Sequence, residues 1–217
     1  MKFWSDWVIA NGLAELVGLG SVAVLGYALI YNIGDPQGVV AIFVAGAFVL
    51  LGALEGYAVG FAQSRVLRKH GITIPGWLGA TVVGAVVAWA VGMIPSTIIN
   101  FVQPGTSEAP PPEISQVLRL AFAAAMGVVA GPILAYFQWR TLRRQVSQGA
   151  LWWLPANAVA WAFGMPIVFW GIHLVVTTGS PLMAVGLASI SLLLAGIVVG
   201  AVHGAVLIRI LKGRASE

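Results

Sequence analysis

Long apolar stretches separated by short polar breaks form the main pattern along this chain. A helix needs about 20 consecutive apolar residues to cross the core of a bilayer. Six stretches reach that length and cover residues 8–31, 37–66, 76–102, 115–144, 150–177 and 182–211. Residues that break helices stand between them, for example Gly34 and Pro36. The pattern predicts an all-α integral membrane protein in which residues 1–217 form a single membrane domain of six transmembrane helices, with a long outside loop at about residues 102–114.

The composition also favours a membrane protein. Of the 217 residues, 59% are hydrophobic and 8% are charged, whereas charged residues make up about 25% of a typical soluble domain. The net charge of +4 comes from basic residues at the ends of the apolar stretches, and these do not form the basic face that nucleic acid binding requires. The first twelve residues have no apolar run followed by a small-residue cleavage site, so we expect the N-terminus to be retained.

The basic residues lie on one side of the predicted helices. All of the eleven lysines and arginines except Arg119 fall at helix ends that would share this side: Lys2, Arg65, Arg68, Lys69, Arg140, Arg143, Arg144, Arg209, Lys212 and Arg214. Because short loops rich in Lys and Arg stay in the cytoplasm, this side is predicted to be cytoplasmic. An even number of helices then places both termini in the cytoplasm, with the protein in the cell (inner) membrane.

Three diverged copies of one helical hairpin make up the chain. They cover about residues 4–70, 75–146 and 150–214 and recur every 69 to 76 residues. Each copy begins with a tryptophan and ends with two small residues four apart, followed by an arginine: Trp7, Trp77 and Trp153 mark the starts, and Arg65, Arg140 and Arg209 mark the ends. Small residues at this spacing let helices approach closely in lipid. Because all three hairpins run in the same direction, the repeat predicts an approximate threefold pseudosymmetry along the membrane normal.

Two acidic side chains lie inside predicted membrane helices. Glu15 and Glu55 are both about 12 to 15 Å from the basic ends of their helices, at 1.5 Å per residue. A charge inside lipid costs about 2.5 to 3.5 kcal/mol, and burial beside a second acid favours keeping a proton on one of the two. The pair is a candidate proton or cation site, although a protonated or hydrogen-bonded packing role also explains it. The matching positions in the other copies hold no acid: Trp89, Trp161, Ala130 and Val199.

Further polar residues fall in the same half of the membrane. The candidate pocket is completed by Asn11, Gln63, Gln138, Asn157 and His203. Together with Thr81 they predict either a pocket open to the cytoplasm or a set of amides that link helices by hydrogen bonds worth about 1 kcal/mol each. His203 has no histidine counterpart in the other copies and is either a proton relay or ligand contact or a packing residue. Gln63 and Gln138 precede their arginines by two residues, whereas Leu207 holds that place in the third copy.

The positions of the tryptophans and arginines along the predicted helices suggest what these side chains do. Trp89 and Trp161 lie deep in the predicted bundle, as core packing or as walls of an aromatic pocket. Six other tryptophans fall near the cytoplasmic interface, where aromatic belts occur: Trp4, Trp7, Trp77, Trp139, Trp152 and Trp153. Arg65, Arg140 and Arg209 would form a ring at the cytoplasmic end. They either bind anions or lipid head groups or only anchor the protein by the positive-inside rule.

Several classes of site are not supported by the sequence. Without cysteine there is no disulfide, thiolate or iron–sulfur chemistry. His173 and His203 would lie near opposite ends of the bundle, so haem ligation by this pair is not expected. Metalloprotease, nucleophile-elbow and phosphate-loop motifs are absent from the sequence. We therefore predict no catalytic residue and no metal site, and no cofactor is indicated.

The sequence leaves three functions open. The leading hypothesis is a small transporter or carrier with Glu15 and Glu55 as its ionisable proton or cation site. The alternative is a non-catalytic subunit of a larger membrane complex, which either packs against that complex as an accessory subunit or holds a lipid or pigment among Trp89, Trp161 and grooves lined by small residues. The third is a lipid-modifying enzyme that uses a glutamate as base and the arginines for head groups. The expected partners are the bilayer and a lipid, pigment or membrane protein, and not nucleic acid.

Overall fold

Six long α-helices make up the part of the chain that the computed structural model describes, which is residues 2–102, 114–146 and 148–214. They are α1 (Lys2–Ile33), α2 (Val39–Lys69), α3 (Trp77–Val102), α4 (Gln116–Leu142), α5 (Trp153–Thr177) and α6 (Pro181–Arg214), with a 3₁₀ turn at Ala150–Trp152. All six helices are long and apolar enough to cross a membrane, and no strand occurs in the described residues. The prediction of an all-helical chain is confirmed for the described residues, and the six long apolar helices are compatible with the predicted multi-pass membrane protein. Most of the long loop predicted at about 102–114 lies outside the described residues.

The helices are arranged as a closed ring. Each helix packs against its neighbours in the chain, and α1 packs against α6 to close the ring. Neighbouring helices run antiparallel: Gly18 of α1 faces Glu55 of α2, and further along α1 Gly26 faces Phe48. One end of the ring is therefore formed by the starts of α1, α3 and α5 and by the ends of α2, α4 and α6. We call this the basic end, because the helix ends there carry most of the lysines and arginines, and we call the opposite end the far end.

The contact between α4 and α5 depends on glycine. A Cβ atom at Gly127 or Gly131 of α4 would overlap the backbone carbonyl of Trp161 or Asn157 on α5. A backbone carbonyl held in a helix cannot move aside as a flexible side chain can. Two glycines four residues apart therefore set the close separation of these helices, as small residues do in other membrane helix pairs.

The main core lies at the basic end of the ring and is built around three tryptophans. Trp7, Trp77 and Trp153 are at most 2% exposed. The prediction that these three belong to an aromatic belt at the membrane surface is wrong, because each indole N–H finds a hydrogen-bond partner inside the bundle. Trp4 and Trp152, which are 40% and 68% exposed, do lie on the surface.

The far half of α3 is packed less tightly than the basic end. From residue 86 to residue 101, none of its side chains is buried. In the neighbouring helix α2, Ala41 and Val44 are buried even in the far half. The bundle is therefore better filled at the basic end than along the far half of α3.

Candidate functional site

The two acidic side chains predicted as an ionisable site lie inside the bundle. Glu15 of α1 is 2% exposed and Glu55 of α2 is 5% exposed. Gly18, three residues along α1 from Glu15, lies against Glu55, so the two acids are about one helical turn apart. Glycines on the facing helices make room for them, since Gly196 of α6 lies against the Glu15 side chain and Gly18 of α1 lies against Glu55. The structure thus places the two acids on neighbouring turns of the facing helices α1 and α2.

Glu55 has a partner on a third helix. The indole Nε1 of Trp89 on α3 donates a hydrogen bond to Oε2 of Glu55. The Trp89 ring is stacked on Phe48, with the ring centroids 6.2 Å apart and an interplanar angle of 14°. Gly52 provides the space for this indole, because a Cβ atom there would overlap its ring. Trp89 is therefore held in place and contributes a polar contact to the acid pair.

Glu15 is less well satisfied than Glu55. Its Oε2 atom is buried and has no hydrogen-bond partner among the described residues. Leaving a buried polar group unpaired costs about 1 to 3 kcal/mol, and more for a charged group. A proton or a bound cation would remove part of this cost. The acid pair therefore has an unused acceptor in an otherwise apolar part of the bundle.

Trp161 lies elsewhere in the bundle. It belongs to a small apolar cluster with Ala160 and Val199, and its ring also contacts Gly164. No described contact joins it to Trp89 or to the acids. Of the two tryptophans predicted as walls of one aromatic pocket, the structure brings only Trp89 to the acid pair.

The three buried tryptophans meet at the basic end. The ring centroids are 6.3 Å apart for Trp7 and Trp77, 6.5 Å for Trp7 and Trp153, and 5.7 Å for Trp77 and Trp153. We call this group the tryptophan triad. It brings together the starts of α1, α3 and α5, so aromatic side chains fill the centre of the ring at this end.

Each indole of the tryptophan triad donates to a side chain on a neighbouring helix. Trp77 Nε1 donates to Oε1 of Gln63 at 2.9 Å, and Trp153 Nε1 donates to Oε1 of Gln138 at 3.0 Å. Trp7 Nε1 donates to Nδ1 of His203 at 3.1 Å, so the proton of this imidazole is assigned to Nε2. His203 thus links α6 to α1 by a hydrogen bond, as Gln63 links α2 to α3 and Gln138 links α4 to α5.

The remaining amide groups extend this network. Nε2 of Gln63 donates to Oδ1 of Asn11 at 2.8 Å, and Nε2 of Gln138 donates to Oγ1 of Thr81 at 2.8 Å and to Oε1 of Gln63 at 3.1 Å. Asn11 and Asn157 each donate to the backbone carbonyl four residues earlier, at 2.7 and 2.8 Å. Side chains of α1, α2, α3 and α4 are joined directly in this way, which is the helix-linking arrangement expected of membrane amides.

A line of polar side chains connects the acid pair with the basic end. Glu15, Asn11 and Trp7 are four residues apart along α1, so about 12 Å separates the first from the last. Glycines of α6 lie alongside them at the same spacing, with Gly204 against Trp7 and Gly200 against Asn11. The seam between α1 and α6 therefore carries the polar groups that lie between the acids and the basic end.

The arginines predicted to form a ring lie on the outer surface of the basic end. Arg65, Arg140 and Arg209 are all exposed, and none of them has a carboxylate partner among the described residues. Arg65 lies along a groove between α1 and α2, whereas Arg140 lies along a different groove between α3 and α4.

In the part of the chain that the structure describes, no group of three or more His, Cys, Asp or Glu side chains is placed to hold a metal ion. No protein-family model, curated protein or solved structure matches this chain.

Proposed function

We propose that this chain is a small membrane carrier that couples transport to a proton or cation held by Glu15 and Glu55. The observation that carries the proposal is the buried Oε2 atom of Glu15, which lacks a hydrogen-bond partner among the described residues, while the buried Glu55 packs against Gly18 about one helical turn away on α1. Two buried acids cannot both carry an uncompensated charge at low cost, so at least one of them holds a proton or the pair binds a cation. Ionisable side chains inside a membrane commonly mark such pathways.

We propose that three tandem hairpins are related by an approximate threefold axis along the membrane normal. The tryptophan triad supports this, because its members come from the starts of α1, α3 and α5 and each bonds to an even-numbered helix. We also propose that the basic end faces the cytoplasm of the cell (inner) membrane, with both termini inside, which the positive-inside rule supports.

In this proposal the basic end is the closed side of the carrier. The tryptophan triad fills the centre of the ring there, and the acid pair lies beyond it. The looser packing of the far half of α3 supports access to the acids from the far end. Release toward the basic end then requires the seam between α1 and α6 to open, where Asn11 and His203 are the nearest polar groups.

Proton flux in liposomes tests the proposed function. The wild-type protein is reconstituted in liposomes that contain a pH-sensitive dye. When a membrane potential is imposed, the internal pH of these liposomes should change. Glu15→Gln and Glu55→Gln should each reduce this flux by about tenfold or more, since each removes an ionisable group. Asp35→Asn, which changes an exposed acid outside the bundle, is the matched control and should behave like the wild type. Wild-type flux in a correctly folded Glu55→Gln variant would contradict the proposal.

The second candidate function is the accessory subunit that holds a lipid, pigment or membrane protein. Exposed tryptophans favour it, because Trp152 and Trp170 are 68% and 44% exposed and offer aromatic surface to a partner. Native mass spectrometry of protein released from mild detergent separates the two candidates. A stoichiometric protein or pigment would favour the accessory subunit, and a monomer without bound protein or pigment that conducts protons would favour the carrier.

A further inference from the structure

A groove runs along the outer face of the first two helices. It lies between α1 and α2, has a volume of about 730 Å³, and is called the α1–α2 groove below. Small side chains form its floor: Ala10, Ala14, Gly18, Ala58 and Ala62. Larger apolar side chains that are at least 40% exposed form its walls: Leu13, Val17, Leu54, Tyr57 and Phe61. In a membrane-spanning bundle, a groove of this kind faces the hydrocarbon of the bilayer.

The basic end of the α1–α2 groove carries an unneutralised positive charge. Arg65, Lys69 and Asp6 lie there. Oδ2 of Asp6 is 2.8 Å from Nζ of Lys69 and 2.8 Å from Nε2 of His70, so this carboxylate is already engaged. Arg65 has no carboxylate partner among the described residues, and its guanidinium carbon lies 5.7 Å from the centre of the Phe61 ring. The exposed Arg65 is therefore free to bind an anion at the end of an apolar groove.

The length of the α1–α2 groove matches one leaflet of a bilayer. On α1 its lining extends from Asp6 to Ser21, which corresponds to about 22 Å at 1.5 Å per residue. A bilayer is about 40 to 45 Å thick including the head groups, so one leaflet takes up about half of that. The charged end of the groove then lies at head-group depth, and the apolar part follows the acyl region.

We propose that the α1–α2 groove binds one anionic phospholipid, with an acyl chain along the small residues of its floor and the phosphate at Arg65. Charge complementarity selects this occupant, because a guanidinium without a protein partner forms strong charge-assisted hydrogen bonds with phosphate. Zwitterionic lipid provides the same acyl chain but no net charge. This binding site lies on the outer face of the bundle and does not depend on the proposed carrier function.

The second hairpin provides a natural comparison. Its groove between α3 and α4 also carries two basic residues, Arg140 and Arg144, but has a volume of only about 260 Å³. Phe137 lines it three residues before Arg140, at the place that Ala62 holds before Arg65. A similar charge is therefore present beside a much smaller space.

Two variants remove the two halves of the proposed site separately. Arg65→Gln removes the charge and leaves the groove open, whereas Ala62→Phe fills the groove with the side chain found in the second hairpin and leaves the charge. Arg140→Gln is the matched control for a general loss of surface charge. Each protein is reconstituted in nanodiscs with equal amounts of phosphatidylglycerol and phosphatidylcholine, then released and measured by native mass spectrometry.

The wild type and Arg140→Gln should each retain one phosphatidylglycerol in preference to phosphatidylcholine. Arg65→Gln and Ala62→Phe should each reduce that retention by about tenfold. Equal retention of the two lipids by the wild type would overturn the proposal. So would an equal loss in Arg65→Gln and Arg140→Gln, or a lipid-free dimer in which a second copy of the chain covers the groove.

Discussion

Glu15 combines two properties that good packing alone does not favour. It is 2% exposed, and its Oε2 atom has no hydrogen-bond partner among the described residues. Gly196 of α6 leaves the space that its side chain occupies. An apolar side chain of similar size would fill the same space without an unpaired acceptor. The carboxyl group therefore costs stability, which is consistent with a role in function.

Replacing Glu15 with Leu should abolish proton flux without lowering stability. Leucine removes the unpaired oxygen and keeps most of the side-chain volume, so the melting temperature in detergent should stay unchanged or rise by about 2 to 4 °C. Thermal unfolding of Glu15→Leu beside the wild type measures this. Leu67→Ala, which creates a cavity at a 2% exposed core position, is the control for real destabilisation. A comparable fall in both variants would show that Glu15 is needed for folding.

His203 should be replaceable by glutamine but not by leucine. Glutamine accepts the indole hydrogen bond at the other two contacts, from Trp77 and Trp153. His203→Leu leaves the indole N–H of Trp7 buried and unpaired, which should cost about 1 to 3 kcal/mol. The free energy of unfolding in mild detergent measures the difference. Equal losses in His203→Gln and His203→Leu would mean that the hydrogen bond to Trp7 contributes little.

At the scale of helices, glycine controls how closely α4 and α5 approach. Gly131→Ala should destabilise the bundle by about 1 to 3 kcal/mol, because its Cβ atom would overlap the carbonyl of Asn157. Gly79→Ala on α3 is the matched control, since a Cβ atom there has no neighbour within 4 Å. Unfolding titrations in a mixed-detergent series compare the two. A stable Gly131→Ala variant would show that α4 and α5 can separate at no cost.

The positions of the helices follow from hydropathy, but their ends do not. The stretch predicted at 76–102 corresponds closely to α3 (Trp77–Val102). The first stretch was predicted to start at residue 8, whereas α1 already begins at Lys2. Residues 2–7 are mostly polar or aromatic, and a helix can continue past the hydrocarbon core into the interface. Hydropathy registers only the part of a helix inside the apolar core of the membrane.

At the scale of the whole bundle, the sequence predicted the position of residues along a helix better than the direction of their side chains. It placed Glu15 and Glu55 at similar distances from the basic ends of their helices, and in the structure Gly18, about one turn along α1 from Glu15, lies against Glu55. It did not predict that Trp89 from a third helix would bond to Glu55. Apolar side chains face both lipid and core in a membrane protein, so hydropathy does not tell which face of a helix points into the bundle. The contact between Trp89 and Glu55 depends on which face of α3 points into the bundle.

The closure of the ring at the basic end was missed for the same reason. Tryptophan at a helix end is typical of a membrane interface, and its indole is equally suited to a core that provides an acceptor. The available signal was the pair of glutamines, Gln63 and Gln138, at equal distances from their arginines. The role of His203 as the hydrogen-bond acceptor for Trp7 was harder to predict. His203 lies four residues before Leu207, which is the position that the alignment of the hairpins matched to the glutamines. A shift of one helical turn keeps the side chain on the same face of α6.

The most direct test of the acid pair as an ionisable site is infrared difference spectroscopy of the protein in lipid during a pH titration. The carrier proposal predicts a protonated carboxyl band in the wild type that shifts in heavy water and titrates with pH. Glu15→Gln and Glu55→Gln should each alter or remove that band, whereas Asp35→Asn should leave it unchanged. A spectrum without an exchangeable carboxyl band that depends on either glutamate would contradict the account.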